Sequence, residues 1–255
     1  MRLLHAETLE FHSFLESELP RYLILSHTWG NEEVSYQEMC LIINRKGYDK
    51  IVQTAKITRK RGFEYFWIDT CCIDKSSSAE LQESINSMYR WYKISAYCVV
   101  HFEDAKPIEE QDHCLQNSRW NTRGWTLQEL IAPPSLGFYD QTWKHIVEKR
   151  WALEQLSKVT QIPEYVLVTG DLTDTSVAQK MSWAAKRSTS RVEDMAYSLL
   201  GLFGIHMPML YGEGENAFLR LQEEIMKTTT DDSIFAWDRP CAIYTTSQEV
   251  YLHKI

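Results

Sequence analysis

The sequence lacks the features that carry a protein into or across a membrane. No apolar stretch of the signal-peptide type stands near its start, and no run approaches the roughly 20 apolar residues that a membrane-spanning helix needs. The six cysteines form neither a regular framework nor a C-x-x-C pair, and adjacent Cys71 and Cys72 suit a metal poorly. We therefore expect a cytoplasmic protein whose cysteines are reduced and buried.

Basic residues are also in short supply. The chain has 27 lysines and arginines against 35 acidic residues, a formal net charge of −8. This balance argues against nucleic acid as the main partner, because binding to phosphate backbones needs a basic surface. A local basic pocket for a small anion remains compatible with it. The eight histidines show no H-x-x-x-H or H-E-x-x-H spacing, so no metal site is predicted.

The composition that is present is that of a globular protein. The chain has 255 residues, of which 44% are hydrophobic and 24% charged, enough for a substantial core. The first half alternates strand-like and helix-like segments, whereas the second half reads as helical. We expect an α/β core over residues 1–140, a helical extension of the same domain over 141–230, and a tail over 231–255.

Four short apolar runs of the first half read as strands covered on both faces. They span residues 22–26, 65–69, 96–102 and 136–139. Three helical segments separate them. The first spans residues 51–61, the second begins at the S-x-x-E capping box of Ser77 and Glu80, and the third spans residues 126–131. Residues 105–118 read as a loop. Strands joined through helices predict right-handed crossovers and a mostly parallel sheet flanked by helices.

Four segments of the second half have helical spacing, at residues 151–159, 177–186, 192–203 and 215–227. Ser176 with Gln179, and Ser190 with Glu193, are further predicted capping boxes. The charged residues around this second box are expected to form a network that joins the two halves: Arg187, Arg191, Glu193 and Asp194. The glycines of residues 211–214 could bind an anion, but a structural turn is the preferred interpretation.

Polar side chains follow the predicted strands where each strand ends. Residues 26–29, 69–72 and 101–104 are such segments. Because the carboxyl ends of parallel strands meet at one edge of a sheet, we expect these segments to converge there. In open α/β sheets this edge is where ligands bind.

Three stretches of the sequence together resemble the signature blocks of the fungal HET (heterokaryon incompatibility) domain family. They read YLILSHTWG at residues 22–30, FWIDTCCID at 66–74 and RGWTLQEL at 123–130. Further similarity runs through residues 84–92, 191–200 and 210–214 and ends near 235–237. The resemblance therefore covers nearly the whole chain.

This resemblance implies a death-inducing effector of fungal non-self recognition. HET domains often stand at the start of larger receptors that carry a nucleotide-binding oligomerisation domain and repeats. The chain ends just after the domain, so we expect a fragment or a short stand-alone member. The implied partners are copies of itself, such receptor regions, or partner incompatibility proteins.

The HET family has also been proposed as a distant relative of Toll/interleukin-receptor (TIR) domains. This likeness implies a TIR-like, flavodoxin-like sheet. Many TIR domains carry, after the third strand, a tryptophan followed four positions later by a glutamate that cleaves NAD. Trp125 and Glu129 have that spacing. The likeness thus implies an NAD glycohydrolase (NAD nucleosidase) with Glu129 as its catalytic residue, NAD as substrate and no cofactor.

The residues of this candidate site allow a chemical and a structural interpretation. A carboxylate at Glu129 would stabilise a ribosyl cation, and Trp125 would stack on a ring. However, Thr126 and Glu129 also read T-x-x-E, an ordinary capping box. Arg123 would neutralise a pyrophosphate, or form an ion pair within the protein.

The segments after the first two strands leave similar alternatives open. The segment after the first strand would contact ribose or phosphate, or else form a hydrogen-bonded turn with the tryptophan in the core. Its residues are Ser26, His27, Thr28 and Trp29. Asp69 would bind ribose hydroxyls, or cap the loop after the strand. Cys72 is a further candidate substrate-binding residue. The alternative is that it acts as a nucleophile beside His27 or His101, although nothing in the sequence brings the cysteine and a histidine together.

Two rival functions are compatible with the same motifs. One is a non-catalytic interaction module that triggers death by self-assembly, and the other is nucleotide binding without turnover. Death of a heterologous host without loss of NAD would favour the interaction module.

Overall fold

The computed structural model of the protein describes residues 1–30, 32–41, 47–107 and 111–235. Its strands are β1 (Arg2–His5), β2 (Phe11–Ser13), β3 (Tyr22–His27), β4 (Tyr65–Trp67), β5 (Tyr97–His101), β6 (Leu136–Tyr139) and β7 (His145–Glu148). The helices up to β6 are α1 (Tyr36–Cys40), α2 (Tyr48–Lys60), α3 (Asp69–Cys72), α4 (Ser78–Ile94), α5 (Gln111–Asn117) and α6 (Thr126–Ile131). Those after β7 are α7 (Leu153–Thr160), α8 (Glu164–Thr169), α9 (Val177–Ala184), α10 (Asp194–Tyr197), α11 (Leu200–Phe203) and α12 (Asn216–Thr228).

The described strands form one sheet in the order β2-β1-β4-β3-β5-β6-β7. The four central strands are parallel, and Leu23 lies opposite Phe66 on one side and Tyr97 on the other. In chain order these four strands stand second, first, third and fourth, which is the order of flavodoxin-like sheets. The predicted mostly parallel α/β fold with helices in the second half is therefore confirmed.

Antiparallel strands that the sequence did not predict complete both ends of the sheet. β1 and β2 extend it beyond β4, and β7 extends it beyond β6. They have only three or four residues, and β7 begins and ends with the polar residues His145 and Glu148. Strands this short offer too few alternating positions to be recognised from periodicity. β7 also lies beyond residue 140, so the sheet continues into the segment predicted to be helical.

Helices cover both faces of the central sheet. All residues of β3, β5 and β6 are buried. Since the chain reverses its direction along the sheet after β4, right-handed crossovers put α2 and α4 on opposite faces. α4 packs beside α6 and α11, and its Trp91 and Tyr92 meet Trp67 of β4 edge to face. The face that holds α4 and α6 is the one on which the candidate site lies.

Several predicted elements have different bounds in the structure. The loop predicted at residues 105–118 contains α5, and the strand predicted at 65–69 ends at Trp67, so that Asp69 begins α3. The helix predicted at 192–203 is divided into α10 and α11. α11 lies with Gly201 against Tyr89 of α4, an approach that leaves no room for a Cβ atom. Packing between helices thus outweighs the continuous helical pattern.

Of the capping boxes in the second half, one is confirmed and one is wrong. Ser176 and Gln179 form the reciprocal pair at the start of α9. Ser190 and Glu193 do not, because the Glu193 carboxylate accepts the backbone N–H of Gly212 at 2.8 Å instead. This contact makes the 211–214 turn structural, as preferred from the sequence.

Two predictions can be checked only for the described residues. Cys71, Cys72, Cys98 and Cys114 are buried as expected, whereas Cys40 is exposed; Cys241 lies outside the described residues. Of the predicted tail, residues 236–255 also lie outside them. Within the described ranges no helix is both long and apolar enough to span a membrane.

Candidate functional site

A cavity of about 250 Å³ lies at the carboxyl end of β3, where the order of the parallel strands reverses. It has room for a small organic group, since one water needs only roughly 10–15 Å³ measured in the same way. Its wall comes from the end of β3, the start of α3 and the loop after it, α4, the start of α6, and the segment 190–211. Both halves of the chain therefore build it.

Glu129 faces this cavity from α6 and is bound to the neighbouring strand. The residue is 7% exposed, and its carboxylate accepts a hydrogen bond from the Ser26 hydroxyl of β3. The Ser26 oxygen in turn accepts the indole N–H of Trp120 at 2.7 Å. Thr126 donates its hydroxyl to the carbonyl of Trp120 at 2.6 Å and forms no cap with Glu129. The capping-box interpretation of Thr126 and Glu129 is therefore wrong.

The position of Glu129 also changes its acidity. Burial is the largest influence on the pKa of this carboxyl and raises it, as does the nearby carboxylate of Asp69. The hydrogen bond from Ser26, the nearby Tyr92 hydroxyl and the charge of Arg187 lower it, and the net result is a pKa of about 8. An empty cavity at neutral pH therefore holds Glu129 largely in its neutral form. A carboxyl group shifted in this way inside a cavity is typical of a functional site.

Two buried cations hold α6 at its two ends. Arg187 donates to the carbonyl of Arg123 and to the hydroxyl of Thr126, both at 2.9 Å, just before and at the start of the helix. Burial lowers the pKa of Arg187 to about 10. Lys149 donates to the carbonyls of Leu130 and Pro133 at 3.0 and 2.8 Å, at the other end. These contacts fix the helix that carries Glu129.

Asp69 and Trp29 form the next part of the wall. The Trp29 indole N–H donates to the Asp69 carboxylate at 2.8 Å, and the Lys75 ammonium lies 3.7 Å from the centre of the Trp29 ring. Trp29 is 49% exposed, so the alternative that it lies in the core is wrong. Asp69 accepts a hydrogen bond from Trp29, in the loop after β3, and does not cap the loop that follows its own strand. Its carboxylate thus stays beside Glu129 in the cavity.

His27 lies between two carboxylates at the end of β3. Its ring nitrogens are 3.5 Å from Glu33 and 3.9 Å from Asp69, and neither forms a hydrogen bond with another described residue. Burial alone would raise the pKa of Glu33, but His27, the Gly30 N–H and Lys50 together lower it. His27 is a buried imidazole of the cavity wall, and its ring nitrogens lie beside two carboxylates.

The segment 190–211 supplies the opposite wall, which the sequence did not identify as part of a site. Tyr211 donates its hydroxyl to Asp194 at 3.0 Å, and Trp125 lies close enough to lower the pKa of the Asp194 carboxyl. Burial raises the pKa of Asp194. The Arg191 guanidinium lies 4.5 Å from the centre of the Tyr211 ring, and Arg123 donates to Ser190 at 3.2 Å. Arg191 and Asp194 of the predicted charge network thus line the cavity, whereas Arg187 donates to Arg123 and Thr126 instead.

A close approach of two backbones brings this segment to α6. The Gly124 N–H donates to the carbonyl of Ser188 at 2.9 Å, and the Ser188 N–H donates to that of Thr122 at 2.7 Å. A Cβ atom on Gly124 would lie 2.5 Å from Cγ2 of Thr189, closer than real structures allow. Glycine at residue 124 therefore lets the two backbones approach this closely without displacing the Thr189 side chain.

Not all of the predicted site residues line the cavity. Those that do are His27, Trp29, Asp69, Arg123, Trp125 and Glu129. Ser26 lies behind Glu129, and Thr28 is buried outside the lining, where its carbonyl accepts a hydrogen bond from the Lys50 ammonium at 3.2 Å. Cys72 is buried outside the lining, where its sulfur accepts the Ile68 N–H at 3.4 Å. The structure therefore does not bring Cys72 to the cavity, either as a ligand contact or as a nucleophile.

The residues missed by the sequence are of two kinds. Apolar side chains of α4 and the preceding loop form one side of the cavity: Ile73, Leu81, Ile85 and Met88. The polar group consists of Lys75, Tyr92, Ser190, Arg191, Asp194 and Tyr211. No spacing rule connects residues 125 and 194, and only the fold makes them neighbours. Among the described residues, no cluster of three or more His, Cys, Asp or Glu side chains is suited to a metal ion.

Comparison with known proteins identifies the family. Residues 22–114 match the family described as heterokaryon incompatibility protein (HET), and residues 216–253 match a domain of unknown function (DUF8212). The chain is similar to the vegetative incompatibility protein HET-E-1 of Podospora anserina, with 44% identity over 231 residues. This match covers 86% of the chain but 17% of that relative, so the chain spans a small part of its length. No solved structure matches the chain.

Proposed function

The chain belongs to the fungal heterokaryon incompatibility family, as its three sequence blocks predicted, and on this premise we propose that it is a cell-death effector of non-self recognition that hydrolyses NAD. The bond cleaved is the one between nicotinamide and ribose. The observation that carries the enzymatic part is the buried Glu129 carboxyl group, held by Ser26 inside a cavity at the carboxyl end of the parallel strands. The name of the similar protein, which refers to vegetative incompatibility, supports the biological role.

The reaction balances with water as the only co-reactant. The C1′–N bond breaks, and its electron pair leaves with nicotinamide, which is a neutral base. The oxygen of a water forms the new bond to C1′, and its proton passes to the Glu129 carboxylate and then to solvent. The products are nicotinamide, ADP-ribose and one proton. The carboxylate stabilises the positive charge that develops on the ribosyl group, as in glycoside cleavage.

The other lining residues have roles that fit this chemistry. Trp125 and Trp29 offer aromatic surfaces against which the departing ring or the adenine can stack. Asp69 and His27, close to one another at the β3 end, can accept hydrogen bonds from ribose hydroxyls. Because the pyridinium ring of NAD is cationic, its entry favours the ionised form of Glu129 over the neutral form of the empty site.

Turnover by the purified protein tests this proposal. Nicotinamide release from NAD is measured by chromatography for the unmodified chain and for Glu129→Gln. We expect the substitution to lower kcat by about 100-fold or more, as when a transition-state charge loses its counter-charge. Glu154→Gln is the matched control, since Glu154 is an exposed carboxylate on α7 outside the cavity, and it should retain full activity. Turnover by a folded Glu129→Gln protein at the normal rate would remove Glu129 from the mechanism.

The cellular part of the proposal has its own test. We place the protein in the cytoplasm, where it acts through copies of itself, receptor regions or partner incompatibility proteins. Expression in a heterologous cell, with NAD and viability followed together, should show NAD loss before death. Death with unchanged NAD would instead support the non-catalytic interaction module, and binding of NAD without turnover or death would support simple nucleotide binding.

A further inference from the structure

The charged groups that line the cavity differ in exposure. Among the carboxyl groups, Glu129 is buried and Asp69 and Asp194 are partly buried. Ser190 and Arg191 are exposed and mark the outer part of the cavity, and the partly buried Arg123 is joined to them by its hydrogen bond to Ser190. A ligand that fits this pattern has a cationic or hydroxyl-rich end, which enters first, and an anionic group that stays near the entrance.

The two arginines of the outer part have donors to spare. Arg123 gives one N–H to the Ser190 hydroxyl at 3.2 Å, and Arg191 lies over the Tyr211 ring. Among the described residues neither guanidinium forms an ion pair with a carboxylate, unlike Arg2 and Arg61, whose guanidinium groups do. A guanidinium has five N–H donors in a planar fork that suits phosphate oxygens. Most of those donors are therefore available to a ligand.

The backbone around these residues is held in place before any ligand arrives. The two hydrogen bonds between residues 122–124 and Ser188 join the arginine-bearing segments, and Gly124 lets them touch. Tyr211 supports the Arg191 guanidinium from one face. Because the donors are preorganised, less conformational freedom is lost when an anion binds.

From these observations we propose that Arg123, Ser190 and Arg191 form a diphosphate-binding subsite at the entrance of the cavity. The subsite holds the pyrophosphate of a dinucleotide while the attached ribose extends towards Glu129. The identity of the ligand as a dinucleotide rests on the proposed function, whereas the affinity for a diphosphate rests on the arginines alone. The helical half of the chain is thereby a part of the binding site and not only a support for the sheet.

Calorimetric binding of three probes tests the subsite, all in a Glu129→Gln background so that nothing is turned over. The probes are ADP-ribose, inorganic pyrophosphate and nicotinamide riboside. Arg191→Ala should weaken ADP-ribose and pyrophosphate by about 10-fold or more, because charge-assisted hydrogen bonds are lost. The same change should alter the affinity for nicotinamide riboside, which carries no phosphate, by less than about 2-fold. Arg191→Lys should restore only part of the loss, since an ammonium cannot form the planar fork.

The control variant is Arg150→Ala, because Arg150 is an exposed arginine that lies over Trp151 and away from the cavity. It should leave all three affinities unchanged. If Arg191→Ala weakens all three probes equally, or none, the subsite is wrong. If pyrophosphate binds in an Arg191-dependent way while the dinucleotide assay shows no turnover, the subsite stands and the proposed function fails.

Discussion

Interactions of opposite sign set the pKa of the Glu129 carboxyl group. Burial and the neighbouring Asp69 favour the neutral carboxyl, whereas the Ser26 hydroxyl and the Arg187 charge favour the carboxylate, and the balance raises its pKa to about 8. Such a group costs free energy to ionise in the empty protein. The same group becomes useful once a cation enters the cavity, because the cation then stabilises the ionised form.

This balance predicts how stability depends on pH. Because the pKa of Glu129 is raised to about 8 in the folded state, its contribution is fully present below the unfolded pKa of roughly 4.5 and is lost as pH rises through about 8. Glu129→Gln removes this titration. We expect the variant to unfold at least about 4 °C higher than the unmodified chain at pH 9, and to show a smaller advantage at pH 5. Calorimetric scans at both pH values measure it, and an advantage that does not change with pH would contradict the shifted pKa.

Ser26 gives a second prediction about the acidity of Glu129. Its hydrogen bond lowers the pKa of Glu129, so Ser26→Ala should raise that pKa. We expect kcat/KM for NAD to rise with pH towards a plateau above about 8 in the unmodified chain. In Ser26→Ala the rise should move to higher pH, and kcat should fall by about 10-fold through poorer orientation of the carboxylate. An unchanged pH profile in a folded variant would show that Ser26 does not act through Glu129.

At the scale of elements, the helix α6 is positioned by contacts from distant parts of the chain. Arg187 holds its start, Lys149 holds its end, and the backbone of residues 122–124 joins that of residue 188. These contacts explain how a helix of six residues can hold a buried carboxyl group. Isolated helices this short are not stable in water.

The junction at Gly124 yields a prediction with its own rescue. A Cβ atom at residue 124 would collide with Cγ2 of Thr189. Gly124→Ala should therefore destabilise the protein by about 1–3 kcal/mol and weaken ADP-ribose binding, because residues 188–191 move outwards. Adding Thr189→Ser removes the colliding methyl group and should recover most of both losses. Measured unfolding and binding that stay impaired in the double variant would contradict this explanation.

The elements differ in how well the sequence predicted them, for physical reasons. The central strands were predictable because they are continuous apolar runs, and β6 and α6 have the predicted bounds. The strands β1, β2 and β7 were missed, since three or four residues show no clear period. Asp194 and Tyr211 were missed as site residues, because Asp194 lies beside Trp125 and accepts from Tyr211 through contacts that no local pattern encodes. The convergence of residues 26–29 and 69–72 followed from the parallel order of the strands, whereas residues 101–104 after β5 are not part of the cavity lining.

At the scale of the whole molecule, the α/β part and the helical part together enclose one cavity. The α/β part supplies the carboxyl groups of Glu129 and Asp69. The helical part supplies Asp194, Ser190 and Arg191. The overall charge of −8 coexists with this local basic entrance. The proposed diphosphate subsite is therefore compatible with a net charge that disfavours nucleic acid.

This shared cavity predicts cooperative behaviour. Circular dichroism and tryptophan fluorescence should report a single, coincident unfolding transition, because neither part completes the site alone. ADP-ribose at about 100 times its dissociation constant should stabilise the fold by about 2.7 kcal/mol, and it should raise the midpoint temperature of unfolding. Two separated transitions, of which ADP-ribose shifts only one, would contradict a site shared by both parts.

We propose that Glu129 faces the reacting ribose of NAD, and a crystal structure of Glu129→Gln with NAD bound tests this placement. We expect electron density for NAD in the cavity, with C1′ of the nicotinamide ribose within about 4 Å of the side chain at position 129. We also expect the pyrophosphate to lie beside Arg123 and Arg191. NAD bound elsewhere on the protein, or bound with its ribose remote from position 129, would contradict this placement.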